Sequence, residues 1–197
     1  MRPHNKKIDR MKMGGIHEPL VTVYITNYNY ADYLQQAIES VLKQSFQDFE
    51  LIIIDDGSTD GSEKIIKSHE ELEHVRIVFQ NNMGLNSSAN IAIKAARGKF
   101  IMRLDADDYL DENALLVMTN AIELNPRLAM VFSDFYYVDK TGKINGQELR
   151  HNFQTEVTLF DQPAHGACSL VRKEVLIEVG AYSEKFSCQD GYDLWLK

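Results

Sequence analysis

Carboxylate and amide side chains recur in this chain at four places where a β-branched or aliphatic run gives way to small polar residues. They are Thr26-Asn27-Tyr28-Asn29, Asp55-Asp56-Gly57-Ser58-Thr59-Asp60-Gly61-Ser62, Asn81-Asn82-Met83-Gly84-Leu85-Asn86-Ser87 and Asp105-Ala106-Asp107-Asp108. Asp105 and Asp107, two apart at the end of an extended run, point to one side and can share a hard divalent cation. Mg²⁺ and Mn²⁺ favour carboxylate oxygens combined with substrate phosphates. The same pair would also serve to cap a turn and the helix after it. An EF-hand is excluded, because Tyr109 and Leu110 stand where that loop needs a ligand and a glycine. Asp56 beside Gly57 can accept from a base N–H, or the segment can be a turn leading into a helix. The Gly84 lead-in to Ser87 can face a phosphate at a helix N-terminus. Near the end, Gln189-Asp190 places a carboxylate ahead of Leu194 and Trp195. It is a candidate general base, or a charge favoured by the helix dipole.

The elements that must position these groups follow a regular alternation. Leu20–Ile25, Leu51–Ile54, Val75–Phe79, Phe100–Leu104 and Leu128–Phe132 read as strands. Between them, Leu34, Ala37, Ile38, Val41 and Leu42 recur at helical spacing. Ile65, Ile66 and Leu72 mark a second helix, Ala89–Ala96 a third, and Glu112–Leu124 a fourth that Pro126 stops. Such an order predicts an α/β fold, a Rossmann-like, mainly parallel sheet with helices on both faces. Ligands of open α/β sheets sit beyond the carboxyl ends of the strands, where all four polar segments fall. After residue 133 the rhythm breaks, and Asp139-Lys140-Thr141-Gly142-Lys143 predicts a turn between short strands. Residues 1–18 are polar and predict a flexible N-terminal arm.

Composition narrows the function classes. The chain has 197 residues, 44% hydrophobic and 25% charged, close to ordinary globular domains. With 21 basic against 29 acidic residues the net charge is −8, which disfavours nucleic acid as a partner. No apolar run reaches the roughly 18 residues of a membrane-spanning helix, and no secretory leader pattern is present. Cys168 and Cys188 have no metal-type spacing and read as thiols of a reducing cytosol. Neither GxGxxG nor GxxxxGK[ST] occurs, so the dinucleotide and P-loop fingerprints are missing.

Taken in order, five segments resemble family 2 inverting glycosyltransferases of the GT-A fold, including bacterial polysaccharide glycosyltransferases. They are Thr26–Leu34, Phe49–Asp60, Asn82-Met83-Gly84-Leu85 with Asn90, Gly98–Asp108, and Gln189-Asp190. The resemblance runs from Pro19 to the end. It implies a nucleotide-sugar-binding half over 19–133 and an acceptor-side half over 134–197, with family members continuing past Lys197. It implies that Thr26, Tyr28, Asn29, Asp56 and Asp105 bind the nucleotide, with Asp56 reading the uracil N–H and Asp105 near the ribose or metal shell. Asp107 would hold Mn²⁺ or Mg²⁺, Asp190 would be the catalytic base, and His165, Gly166 and Trp195 would lie on the acceptor side. The implied donor is a UDP-sugar and the implied acceptor a saccharide or lipid-linked saccharide. The implied setting is the cytoplasm, extending to the inner face of the cytoplasmic membrane. One departure is Ser88-Ala89-Asn90, where many relatives carry Ala-Arg-Asn with an Arg that helps to hold the donor phosphates.

Other α/β enzymes fit less well. A sugar-nucleotide pyrophosphorylase needs a Gly-rich signature after the first strand, where this chain has Thr26-Asn27-Tyr28-Asn29. A haloacid-dehalogenase-like phosphatase needs DxDx[TV], and Tyr109 follows Asp108 here. A degenerate domain that binds a nucleotide-sugar without turning it over remains the alternative outside catalysis.

Overall fold

The computed structural model describes residues 18–150 and 167–185. Among them a six-stranded sheet runs in the order β3-β2-β1-β4-β8-β5, and β6 and β7 form a separate two-stranded ribbon. Strands β1 (Val21–Asn27), β2 (Phe49–Asp55), β3 (Val75–Phe79) and β4 (Phe100–Asp105) are mutually parallel. β8 (Ser169–Arg172) pairs antiparallel with both β4 and β5 (Met130–Phe132), so β5 runs the same way as β1 to β4.

Strand alternation sorts the core into two layers. Val21, Val23 and Ile25 of β1, Leu51 and Ile53 of β2, and Met102 and Leu104 of β4 share one cluster. It is covered by Leu34, Ile38 and Val41 of α1 (Ala31–Leu42) and by Leu115 and Ile122 of α4 (Ala114–Leu124), with Ile66 of α2 (Ser62–Lys67). Tyr24, Ile52, Ile54 and Ile101 face the other way. There they meet Ala89, Ala92 and Ile93 of α3 (Leu85–Ala95) and Leu176 of α5 (Lys173–Glu178). The helices therefore cover both faces, as the alternating sequence pattern predicts.

Two features depart from that pattern. The expected fifth strand forms, but β8 separates it from β4. Periodicity reveals an element but not its neighbour, and a four-residue strand carries too little pattern to be recognised. Helix α3 begins at Leu85 rather than Ala89, because its first turns turn polar groups inward. Asn86, Ser87 and Ser88 are all buried, and Ser88 Oγ donates to the Gly84 carbonyl at 3.1 Å. An apolar-period search passes over such a turn. The predicted hairpin forms as β6 (Phe135–Val138) and β7 (Ile144–Glu148), with Asp139 Oδ1 accepting from Thr141 N at 2.8 Å.

Candidate functional site

The carboxyl ends of β1, β2 and β4 reach one edge of the sheet, since Asn27 is in register with Asp55 and Thr26 with Asp105. A cleft of about 410 Å³ opens there, within the range of small-molecule sites. Thr26, Tyr28, Asp56, Asp105 and Asp107 all line it, together with Asn27, Arg103 and Asp108. The structure thus gathers five of the sequence-predicted residues around one space. Alternation is the reason. Thr26, Asp56 and Asp105 share parity with Tyr24, Ile54 and Ile101, the face that α3 covers.

Asp55 and Asp56, adjacent in sequence, have separate tasks. Asp55 Oδ1 accepts from Asn27 Nδ2 at 2.8 Å and from Ser58 Oγ at 2.6 Å, which ties the β1 and β2 loops together. Asp56 is 4% exposed and faces the loop after β3. Its Oδ1 accepts from Gln80 Nε2 at 2.7 Å and Met83 N at 2.8 Å, and its Oδ2 accepts from Gly84 N at 2.8 Å. A carboxylate offers about four acceptor positions, so Oδ2 retains room for one further donor. Gly57 makes this turn possible: at φ +82, an added Cβ would sit 2.9 Å from Asn82 N.

Asn29 is not brought into the cleft. It adopts φ 61, and its Oδ1 accepts from Thr59 N at 2.8 Å, so it pins the β2 loop from outside. Tyr28, by contrast, is half exposed on the cleft rim. Asp190, His165, Gly166 and Trp195 lie outside the described residues.

Two cleft residues escape a motif search. Arg103 is 6% exposed, and its guanidinium grips Asp105 in a fork, Nε to Oδ1 at 2.6 Å and Nη2 to Oδ2 at 3.0 Å. Burial alone would lower the Arg103 pKa, but the charge and hydrogen bonds of Asp105 outweigh it and leave the guanidinium more firmly protonated than usual. A basic residue inside a strand reads as surface until its partner two positions on is noticed. Asn27 is the second. Its Nδ2 is spent on Asp55 and Ser58, and its buried Oδ1 meets no donor among the described residues. Such an acceptor on a cleft wall favours a ligand hydroxyl or N–H.

Beneath the cleft Tyr24 is fully buried. Burial, then the neighbouring Tyr182, pushes its phenol well above the usual range. The Cys168 thiol is likewise pushed up, to about 12, by burial. Ala89, at the place of the relatives' Arg, is buried in the Tyr24–Ile54 cluster. Among the described residues the cation that lines this cleft comes from β4 instead, as Arg103.

Comparison with known proteins follows this geometry. Residues 22–180 match the family model described as Glycosyl transferase family 2. Chondroitin synthase of Escherichia coli is 32% identical over 182 residues, 91% of this chain and 26% of the relative. Hyaluronan synthase of Pasteurella multocida is 32% identical over the same length, 18% of that protein. The chain thus spans about a quarter or less of these relatives. Among solved structures, TarS 1–349 of S. aureus in complex with UDP-GlcNAc superposes with a TM-score of 0.70 at 22% identity, covering 88% of this chain and 52% of that one. The mannosyltransferase PcManGT of Pyrobaculum calidifontis, in complex with GDP-Man and Mn²⁺, gives 0.68 at 18%, covering 89% and 51%.

Proposed function

The chain belongs to glycosyltransferase family 2, with the GT-A fold, and from that premise we propose that it transfers a sugar from a UDP-sugar to an acceptor hydroxyl with inversion. The cleft's charge carries the reading. Among the described residues Asp56, Asp105, Asp107 and Asp108 line it against one arginine, which Asp105 already engages. A diphosphate cannot approach that wall uncompensated, since like unit charges about 4 Å apart repel by roughly 4 kcal/mol at an effective dielectric near 20. A divalent cation removes the conflict. The donors present are hard carboxylate oxygens, the ligands that Mn²⁺ and Mg²⁺ combine with phosphates. Among the described residues no three His, Cys, Asp or Glu side chains form a ready-made cage. One or two carboxylates completed by phosphate oxygens suffice for such ions. The Mn²⁺ complex of the mannosyltransferase agrees with this choice.

Asp107 holds the cation, which when bound supplies Lewis-acid stabilisation to the departing diphosphate. Asp105, its charge balanced by Arg103, accepts from the ribose. Asp56 takes the uracil N–H on the open position of Oδ2, with Thr26 and Tyr28 beside the nucleotide. Asp190 removes the proton from the acceptor hydroxyl as its oxygen bonds to C1, and the C1–O bond to UDP breaks on the opposite face. Residues 19–133 form the donor half and 134–197 the acceptor half, which includes His165, Gly166 and Trp195. The acceptor is a saccharide or lipid-linked saccharide, in polysaccharide assembly within the cytoplasm or at the inner membrane face. Among the described residues no helix is long and apolar enough to cross a membrane.

The test is nucleotide release from UDP-GlcNAc, UDP-GalNAc, UDP-Glc, UDP-GlcA and GDP-Man, with Mn²⁺ or with chelator. The expected result is Mn²⁺-dependent release from one UDP-sugar. Tight UDP binding without release from any donor favours the second reading, a nucleotide-sugar-binding domain without turnover, to which the alanine at position 89 lends weight.

A further inference from the structure

The loops that follow β1 and β2 are laced together at every second residue of the first. Asp56 N donates to the Asn27 carbonyl at 2.8 Å, and Asn27 Nδ2 donates to Ser58 Oγ at 3.0 Å. Asn29 N donates to the same Ser58 Oγ at 3.0 Å, and Asn29 Oδ1 accepts from Thr59 N at 2.8 Å. Ala31 N, at the start of α1, donates to Asp60 Oδ2 at 2.8 Å. Residues 27, 29 and 31 are thus tied to Ser58, Thr59 and Asp60, while Tyr28 and Tyr30, which alternate with them, line the cleft.

Asn29 is the middle tie and lies between the two rings. Its φ of 61 falls in the left-handed region, which asparagine enters more readily than most residues. Tyr28 and Tyr30 are 48% and 43% exposed, so core packing does not fix their rings. Their aim follows the backbone that carries them, and that backbone is held by the β2 loop. Asp56 opens the same β2 loop and lines the same cleft. The lacing therefore sets the spacing between a carboxylate on one loop and two aromatic rings on the other. A nucleobase offers a π-face to such a ring and an N–H edge to such a carboxylate.

We propose that Asn29 is a positioning residue for the nucleoside. It touches no ligand. It holds the turn that carries Tyr28 and Tyr30 in fixed relation to Asp56, so that rings and carboxylate meet the base without prior rearrangement. The inference rests on the reading of Tyr28 and Asp56 as contacts to the base. A site whose competent form is only partly populated binds with affinity reduced by that fraction. Loosening the turn therefore weakens the hold on the nucleoside and leaves the diphosphate end, at Asp105 and Asp107, unchanged.

The test compares wild type, Asn29→Gly, Asn29→Asp, Tyr28→Ala and the double variant Tyr28→Ala, Asn29→Gly in the full chain. Calorimetry measures the binding of UDP and of inorganic pyrophosphate, each with Mn²⁺. Asn29 is exposed, so these variants leave the core intact. Asn29→Gly accepts the positive φ and removes the acceptor of Thr59 N. It should bind UDP roughly 3- to 10-fold more weakly, the range of one net hydrogen bond, with pyrophosphate binding unchanged. Asn29→Asp keeps an acceptor on a residue that also enters the left-handed region. It should recover most of the UDP affinity, and its pyrophosphate binding reports the effect of the added charge. The loss on Asn29→Gly should shrink once Tyr28 is alanine, because residues that act together are not additive. Equal UDP affinity in wild type and Asn29→Gly overturns the inference. So does a loss that is the same with and without Tyr28, or one that extends equally to pyrophosphate. A wild type that binds no UDP in Mn²⁺ removes the functional reading itself, and this inference with it.

Discussion

At the amino-terminal edge of the sheet, Glu50 accepts from Thr22 Oγ1 at 2.8 Å, Arg97 N at 2.6 Å and Arg97 Nε at 2.8 Å, with Arg76 Nη1 at 3.4 Å. At the carboxyl edge, Asp105 is gripped by Arg103 within a cleft that three further aspartates line. Both edges bury a carboxylate against arginine, but one is closed and the other is left short of positive charge. At the closed edge the Arg97 backbone N–H and the Thr22 hydroxyl help complete the acceptor sites of Glu50, and the chain comes so close that a Cβ at position 98 would lie 2.4 Å from Thr22 N. At the open edge Asp105 ends β4, and Asp56, Asp107 and Asp108 follow in the loops, an excess of negative charge that the proposed cation would offset. The difference separates residues whose loss should unfold the protein from residues whose loss should only silence it.

The largest expected effect belongs to the proposed base. Asp190→Asn keeps the size of the side chain and removes the proton acceptor that the proposed mechanism requires, so transfer should fall by roughly 10² to 10⁴. Thermal stability and UDP affinity should hold. Near-normal transfer by this variant would mean that the base lies elsewhere. At the closed edge, Gly98→Ala should do the reverse. A Cβ there would meet Thr22 N at 2.4 Å and the Val21 carbonyl carbon at 2.7 Å, and would disturb the Gly98 N to Thr22 Oγ1 bond. Backbone rather than a side-chain tip must move, at a cost of about 1–3 kcal/mol. Denaturant unfolding should report that loss, while UDP affinity per folded molecule stays constant. A Gly98→Ala protein as stable as wild type would remove the contrast between the edges.

A third expectation concerns discrimination within the cleft. With Asp56 Oδ2 turned to the base, UDP should bind better than CDP, whose cytosine presents no N–H at that ring position. Facing an acceptor with an acceptor costs about 1–3 kcal/mol, so calorimetry should show at least a fivefold preference. Equal binding would confine Asp56 to its bonds with Gln80, Met83 and Gly84, and move it from the open edge to the closed kind.

Much of this contrast is legible in the sequence, but unevenly. The strands of the parallel half can be read because Leu20–Ile25 and Leu51–Ile54 are β-branched or aliphatic runs of strand length, as expected of strands buried on both faces. The cleft aspartates stand out through their order along the chain, since each alone reads equally as the cap of a turn or helix. Glu50 and Arg97 do not stand out: they are 47 residues apart and meet only because β2 and the α3–β4 turn are brought together by the sheet. Arg103 hides inside an apolar strand, and Asn86 in the polar first turn of a helix whose later turns bury Ala92 and Ile93. Charge and amide pairs that close a fold are set by tertiary neighbours, which a local period does not encode. Strand β8 is hidden for the same reason, being defined by the strands on either side of it.

The smallest expected effect belongs to Glu50 itself and is read best against pH. Burial would raise its pKa, but the Arg97 amide, the Thr22 hydroxyl and the Arg97 guanidinium together leave it below the ordinary carboxylate value. A carboxyl whose pKa is lowered by folding adds stability above its unfolded pKa, and that contribution is lost as pH falls through the folded value. Glu50→Gln keeps an acceptor for Thr22 and the Arg97 amide and removes the charge. Both arginines are about 40% exposed and can turn to water, so no stranded buried cation results. The loss at neutral pH should therefore be about 1 kcal/mol, in the net range of a single hydrogen bond. The gap between wild type and variant should be widest above the ordinary carboxylate range and should close as the pH falls through the lowered value at which folded Glu50 takes up its proton. Urea midpoints at a series of pH values measure this directly. A gap that stays constant with pH would show that Glu50 acts through shape alone, and the closed edge would then owe its stability to packing at Gly98 rather than to its ion pairs.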